Sequence, residues 1–347
     1  MNRRILLACL CGIYFVSCTG PKKEGADQTI TYEDFEEVKE LVAQPIGLDS
    51  LIWKPVQLQM FGRALGLANI GTEKLVQLLD VDSCTKLSEH ISVGQGPDEM
   101  MVPRFVENDG SSVILSDMML SVVRKYALSD FLGSTNPTAA EEVRLSRRPS
   151  GEVRLLGDGY VAPAYNASYL MYVYDSKGEL RDSIGQYPSM EDPFTDVEKI
   201  EMFTFSLATN FRNRIAVFYN WADIIDFYDA DGKLLRRVRG PEGFVSRYKE
   251  VHNGQIVTAM AGKDRREAYY GARAVGDEVW VTFNGKYTEA EDYSSLVQRI
   301  FVFSWDGVPK RILNLDQGIG AFAVDASRRI IYGISDTPEF HILSFSY

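Results

Sequence analysis

The sequence predicts an all-β chain: a six-bladed β-propeller of four-stranded antiparallel blades, closed by an N-terminal strand. Three observations carry this expectation. From about Pro45 onward, short runs rich in Val, Ile, Tyr and Phe alternate with Gly, Asp, Asn and Pro clusters, the texture of strands joined by tight turns. A unit of strand, strand, turn and strand recurs about every fifty residues, which is a repeat signal. Roughly 300 residues at that period make six units, within the four to eight blades that propellers use.

The clearest units are three. One has strands at Tyr160–Tyr165, Tyr169–Tyr174 and Leu180–Ile184. The next has Arg214–Tyr219, Asp223–Tyr228 and Leu234–Val238, and the last has Glu278–Phe283, Arg299–Phe303 and Lys310–Leu313. Their final turns are Asp175-Ser176-Lys177-Gly178, Asp229-Ala230-Asp231-Gly232 and Trp305-Asp306-Gly307. Asp suits such turns because it bonds its own backbone two residues on, and Gly because it accepts positive φ. Gly-rich links follow the units, at Gly94–Glu99, Gly185–Pro188, Gly240–Gly243 and Gln317–Gly320. In a propeller they cross from the outer strand of one blade to the inner strand of the next. The last strands, Ala321–Val324, Arg329–Ile334 and His341–Phe345, leave a blade one strand short. A strand from between Ile30 and Met60 is expected to complete it and so remove an exposed edge.

Ahead of the repeats, residues 1–17 read as a secretion signal. Arg3 and Arg4 precede an apolar core, Ile5–Val16, of twelve residues, well short of the ~20 that a spanning helix needs. The core ends in Phe15-Val16-Ser17-Cys18, which resembles a bacterial lipobox and implies lipidation of Cys18. Several acyl chains on one residue would hold the protein firmly, at about 0.8 kcal/mol per buried CH₂. Residues 18–28 read as a flexible tether, and 29–347 as the propeller domain. Within it, Phe35, Val38, Leu41 and Val42 stand at helical spacing, which predicts a short helix over Thr31–Ala43. Loss of the signal removes Cys9 and Cys11, leaving Cys84 as the one thiol not lipidated. The core, not a disulfide, must therefore hold the fold. It also takes the net charge from −11 to −13, a balance that disfavours nucleic acid and anionic membrane surfaces as partners.

The run Val93-Gly94-Gln95-Gly96-Pro97-Asp98-Glu99, then Pro103-Arg104-Phe105 and strands with Asp–Gly turns, resembles the TolB-like six-bladed propeller lipoproteins of Gram-negative bacteria. The sequence departs from that pattern at Asp98, where a second Gly is common, and over Arg104–Ser146, where a clean Asp–Gly hairpin is missing. The resemblance implies a binding or scaffold role in the envelope and no catalytic set.

The residues agree with that implication. The chain has no Gly-x-Ser-x-Gly elbow, and its three histidines, His90, His252 and His341, stand in strand-like or turn-like runs without a nucleophile. The mature part lacks His-x-x-x-His and Cys-x-x-Cys spacings. Asp229-Ala230-Asp231-Gly232 is a turn and not a calcium loop, since Phe227 stands where the first ligand belongs. The Gly-rich links lack a following Lys-Ser or Lys-Thr, so they cradle no phosphate.

Two features point to recognition instead. Trp221 stands in a turn between two strands, where an aromatic can stack on a sugar or anchor a protein. The segment Phe244–Tyr270 adds more than about twenty residues before a blade opens, longer than loops in compact domains usually run. The candidate binding residues are Gln95, Glu99, Arg104, Gln186, Tyr187, Trp221, Arg247, Tyr248, Arg265 and Tyr269, gathered at one channel mouth by their place in the repeat. The expected function is non-catalytic binding of an envelope protein, a small ligand or a glycan, by a monomer without cofactor or metal. Lipid alone would attach it to a membrane, the outer membrane by expectation. The alternative is a calcium-dependent hydrolase of lactones or glycan-derived esters.

Overall fold

The structure, a computed structural model, describes residues 27–133, 137–191 and 193–347. The signal segment and Cys18 lie outside the described residues, as does the tether up to residue 26.

Six sheets stand in a ring. Each successive blade starts at its innermost strand: Pro55–Phe61, Pro103–Phe105, Arg154–Leu156, Phe205–Thr209, Tyr269–Val275 and Ala321–Asp325. Three further strands follow antiparallel in order in blades 1 to 5. The second strands are buried along nearly their whole length, as in Ala64–Asn69, Ser112–Asp117 and Arg214–Tyr219. Adjacent blades cover both of their faces, so they read as continuous apolar runs instead of alternating ones. Outer strands such as Leu180–Ile184 meet water and are mostly polar. Between blades 4 and 5 the core is aromatic: Phe218, Phe227, Phe283, Phe301 and Phe303 pack together, with Phe283 and Phe301 stacked at 4.8 Å.

The predicted closure is present. Gln44–Pro45 pairs with His341–Ser346 through Leu343 and Ser344 and becomes the outer strand of blade 6. It is the end of a longer belt. Asp27–Thr29 runs parallel to the outer strand of blade 4, and Glu37–Leu41 runs parallel to that of blade 5. Asp27 and Gln28, assigned to the tether, are thus already part of a sheet. The helix expected over Thr31–Ala43 is replaced by a single 3-10 turn at Tyr32–Asp34 and the strand Glu37–Leu41. Of its four apolar positions, Phe35 and Leu41 are buried while Val38 and Val42 are exposed. Backbone bonds to Pro309–Ile319 decide that register, which no local periodicity encodes.

The Asp–Gly turns form as expected. Asp175 Oδ1 accepts from the backbone N–H groups of Lys177 and Glu179, and Asp229 Oδ1 from those of Asp231 and Lys233. Their glycines have a second role. Gly178 of blade 3 has φ of 85° and lies against the Arg144 carbonyl on the outer strand of blade 2. Gly232 of blade 4, at φ of 79°, lies against the Ile184 side chain of blade 3. Blade 2 lacks this turn because the helix Leu128–Gly133 lies between its third and fourth strands.

The segment Phe244–Tyr270 is no loop. It holds a hairpin, Tyr248–Asn253 with Ile256–Ala261, turned at Gly254. His252, read as part of a turn, is in its first strand.

Two measurements test this packing. Phe35 sits 5.0 Å from Phe301 and 5.6 Å from Phe303, so Phe35→Ala is expected to cost about 3 kcal/mol of unfolding free energy in urea titrations. Gly178→Ala, which places a Cβ against the Arg144 carbonyl at positive φ, is expected to cost more than about 1 kcal/mol.

Candidate functional site

A blade entered at its inner strand makes its first turn on the opposite end of the ring. One face therefore carries the first-to-second turns, and the other carries the blade-to-blade links with the second-to-third turns. The insertions collect on this link face: the helix Asp196–Met202 between blades 3 and 4, the hairpin between blades 4 and 5, and the stretch 284–296 of blade 5.

The hairpin is braced at its foot. Ser246 N–H donates to the Trp221 carbonyl, Ala268 N–H to that of Asn220, and Asp223 N–H to that of Phe244. Ser246 Oγ bonds Arg266. The Arg265 guanidinium lies 4.8 Å from the Trp221 ring centre, and Tyr248 and Tyr270 pack beside that ring. Arg265 Nε also donates to Thr288 Oγ1 at 3.2 Å. Arg247 covers the Phe194 ring at 5.2 Å. One hairpin face rests on the helix, where Glu250 N–H donates to Glu198. The helix is capped by Thr195 and Glu198 in a reciprocal box. The other face is open, with Ile256 at 68% and Met260 at 60% exposure.

Four of the ten residues picked from sequence, Trp221, Arg247, Tyr248 and Arg265, therefore meet at the hairpin's foot. The others disperse. Gln95 is exposed on the link between blades 1 and 2. Glu99 turns its carboxylate back onto Gly96 N–H at 2.9 Å, and Arg124 holds its carbonyl. Gln186 presents its carbonyl to Tyr228 and Arg237, and Arg237 is itself paired bidentately with buried Asp226. Tyr187 donates to the Asn166 carbonyl and packs on Phe203. Tyr269, expected at a surface, is instead wholly buried, and its hydroxyl donates to Asp223. The repeat located it on the chain, but inward orientation of the inner strand put it in the core.

Arg104 belongs to a second constellation, on the axis, most of which the sequence reading missed. Arg273 of blade 5 pairs at 3.0 Å with Glu107, which follows the inner strand of blade 2. Those blades lie three steps apart in a ring of six, so this ion pair spans the channel. Arg273 also reaches Gln59 of blade 1 at 3.4 Å. Arg154 lies 3.9 Å from Glu107 and donates to Glu152 at 2.6 Å, and Arg104 stands 3.8 Å from Glu152. Burial works against charge on Glu152, but the Arg154 and Arg104 guanidiniums outweigh it and hold the carboxyl below its usual range. Burial depresses Arg273 despite Glu107, with Arg154 adding to the effect. The one local signal was an arginine inside each of the inner strands of blades 2, 3 and 5. Among the described residues, no three His, Cys, Asp or Glu side chains converge to hold a metal ion.

A family model described as TolB-like 6-blade propeller-like matches residues 34–327. Among solved structures, a putative exported protein from Bacteroides fragilis aligns with a TM-score of 0.54 at 12% identity, over 92% of this chain and 98% of that one. A member of the duf4221 family from Bacteroides vulgatus aligns with a TM-score of 0.53 at 9% identity, over 88% and 95%. Chaetomium thermophilum Raptor aligns at a TM-score of 0.49 and 12% identity, and this chain spans 29% of its length. At these identities the likeness is one of fold. No curated protein sequence matches.

The assignment of Tyr269 to the core has a test with a sign. Burial raises the Asp223 carboxyl above its usual range, opposed by the Tyr269 hydroxyl and the Glu242 and Gly243 N–H groups. A carboxyl raised in the folded state loses stability as pH climbs from its unfolded value toward the folded one. Tyr269→Phe removes one of those opposing bonds, so the cost should be about 1–3 kcal/mol near neutral pH and smaller in acid, below the folded Asp223 value, where that carboxyl holds a proton. Urea unfolding at both pH values measures it.

Proposed function

The chain belongs to the TolB-like 6-blade propeller-like family, and from that premise we propose that it is a non-catalytic binding propeller of the bacterial envelope whose link face receives a protein partner. The observation that carries this reading is the braced hairpin. It projects Ile256, Val257 and Met260 into solvent on a support that needs no ordering before contact. Exposed apolar side chains on a rigid projection, beside Trp, Tyr and Arg, have the composition of an interface centre. Pre-organisation lowers the entropic cost of association.

The geometry also favours binding over the calcium-dependent hydrolase. That chemistry needs a cation on the axis, and there the guanidiniums of Arg104, Arg154 and Arg273 stand against two carboxylates. Both carboxylates are already paired with arginine, which disfavours their ligating a cation.

Lipid on Cys18 would suit the belt. Asp27 begins on the outer edge of blade 4, and the nine residues from Cys18 reach at most about 30 Å. Such an anchor would hold the propeller by its rim and leave both ring faces free. No described helix is long and apolar enough to cross a membrane.

Cross-linking in intact cells, followed by capture of the protein, tests the partner reading. A reproducible envelope protein is expected, and Ile256→Asp or Met260→Asp should each reduce its recovery by about tenfold or more without shifting Tm by more than a few degrees. Recovery of the propeller alone, or capture indifferent to both substitutions, would overturn it. In the same cells Cys18→Ala should abolish incorporation of labelled fatty acid.

A further inference from the structure

We propose that the end of the central channel opposite the link face binds the carboxylate of a small, hydroxylated, singly charged acid, with Arg273 as its main partner. This site shares no residue with the link-face surface, so the two readings stand or fall separately.

An open cavity of about 370 Å³ enters the ring on the face of the first-to-second turns, and Arg273, Gln59, Glu107, Asn108 and Ser327 line it. That volume is near the lower end for small-molecule sites. Its floor is the Arg273–Glu107 pair. Behind that pair the cluster continues to Arg154, Glu152 and Arg104, three guanidiniums in all against two carboxylates. Both carboxylates are already engaged by arginine. Arg154 and Arg273 are more than nine-tenths buried, and the Nε–H group of each meets no acceptor. Buried N–H groups in folded proteins nearly always find an acceptor, and an uncompensated buried charge is costly. A carboxylate entering beside Arg273, which lines the cavity, supplies that guanidinium with acceptor oxygens in the planar geometry it matches and the cluster with its missing charge.

The rim limits what enters. Asp109 and Asp325 line the same cavity. Asp325 is committed to its own turn and to Arg328 at 2.9 Å, while Asp109, bonded to Ser111, stays at the exposed edge. A negative edge above a net-positive cluster admits one carboxylate and disfavours phosphates. Gln59, Asn108 and Ser327 offer polar groups to hydroxyls on the remainder of the ligand.

Thermal unfolding of the mature Cys18→Ala chain tests this, with sodium glucuronate as the probe against sodium chloride at equal ionic strength and against inorganic phosphate. A saturable rise in Tm of several degrees with glucuronate, absent from both controls, is expected. Arg273→Gln should weaken glucuronate by about tenfold or more, the worth of a charge-assisted bond. Should that variant not fold, Asn108→Asp serves. It keeps the acceptor that Asn108 gives Gly110, adds a negative charge beside the cavity, and should weaken the probe likewise. Equal Tm in glucuronate and chloride, an equal rise with phosphate, or a rise unchanged in the variants would overturn the assignment.

Discussion

Ring closure is the constraint on which the rest of this molecule depends. Each blade is a small sheet that cannot bury its own faces, so its core exists only between two neighbours. One open junction would expose two faces at once. Here the closing strand, Gln44–Pro45, makes only two residue pairs, far too few to hold a blade by hydrogen bonds alone. Burial around it makes up the difference: Leu41, Ala43, Leu48 and Ile52 are all packed in the junction between blades 5, 6 and 1. The belt extends the same device, adding parallel edge strands to blades 4 and 5. It ties three consecutive blades together along their outer rims with a segment that is continuous in sequence.

Closure also creates the axis. Inner strands that would be ordinary sheet edges in isolation are brought face to face, and side chains from opposite blades meet there. The Glu107–Arg273 pair is the consequence. Its energetics are those of a desolvated ion pair: removing either partner is far more costly than the pair is worth. The buried cluster around that pair holds three guanidiniums against two carboxylates, although the chain as a whole carries −11.

The two ring faces divide the labour. On one face the turns between first and second strands are short, and they frame the axial cavity. On the other, insertions grow into a helix and a hairpin that support one another and rise above the ring. The hairpin is sequence that a compact propeller does not require. Its first strand carries Lys249, Glu250 and His252, while its second, Ile256-Val257-Thr258-Ala259-Met260-Ala261, carries no charge and no proline. Edge strands on monomers are usually blunted by such residues, so the unguarded second strand agrees with a covered surface.

The sequence by itself determined the architecture, because the signals it uses are local. Alternation of apolar runs with Asp–Gly turns sets strand length and reversal, and its recurrence sets the number of blades. The strands Leu180–Ile184, Arg214–Tyr219 and Glu278–Phe283 stand where their composition predicts. A family resemblance carried by Gly94–Glu99 and Pro103–Phe105 pointed to the same ring. The candidate surface was legible in part. Arg247, Tyr248 and Arg265 share one blade-to-blade segment, and Trp221 meets them because the second-to-third turn of blade 4 opens on the same face. Three things only the tertiary structure decided. Phe35 and Leu41 belong to a belt and not a helix because outer strands of other blades supply their partners. Tyr269 is buried because the inner strand's orientation, not its place in the repeat, sets which way it points. Glu107 finds Arg273 because closing the ring brings together residues separated by 166 positions, a juxtaposition that no local pattern encodes.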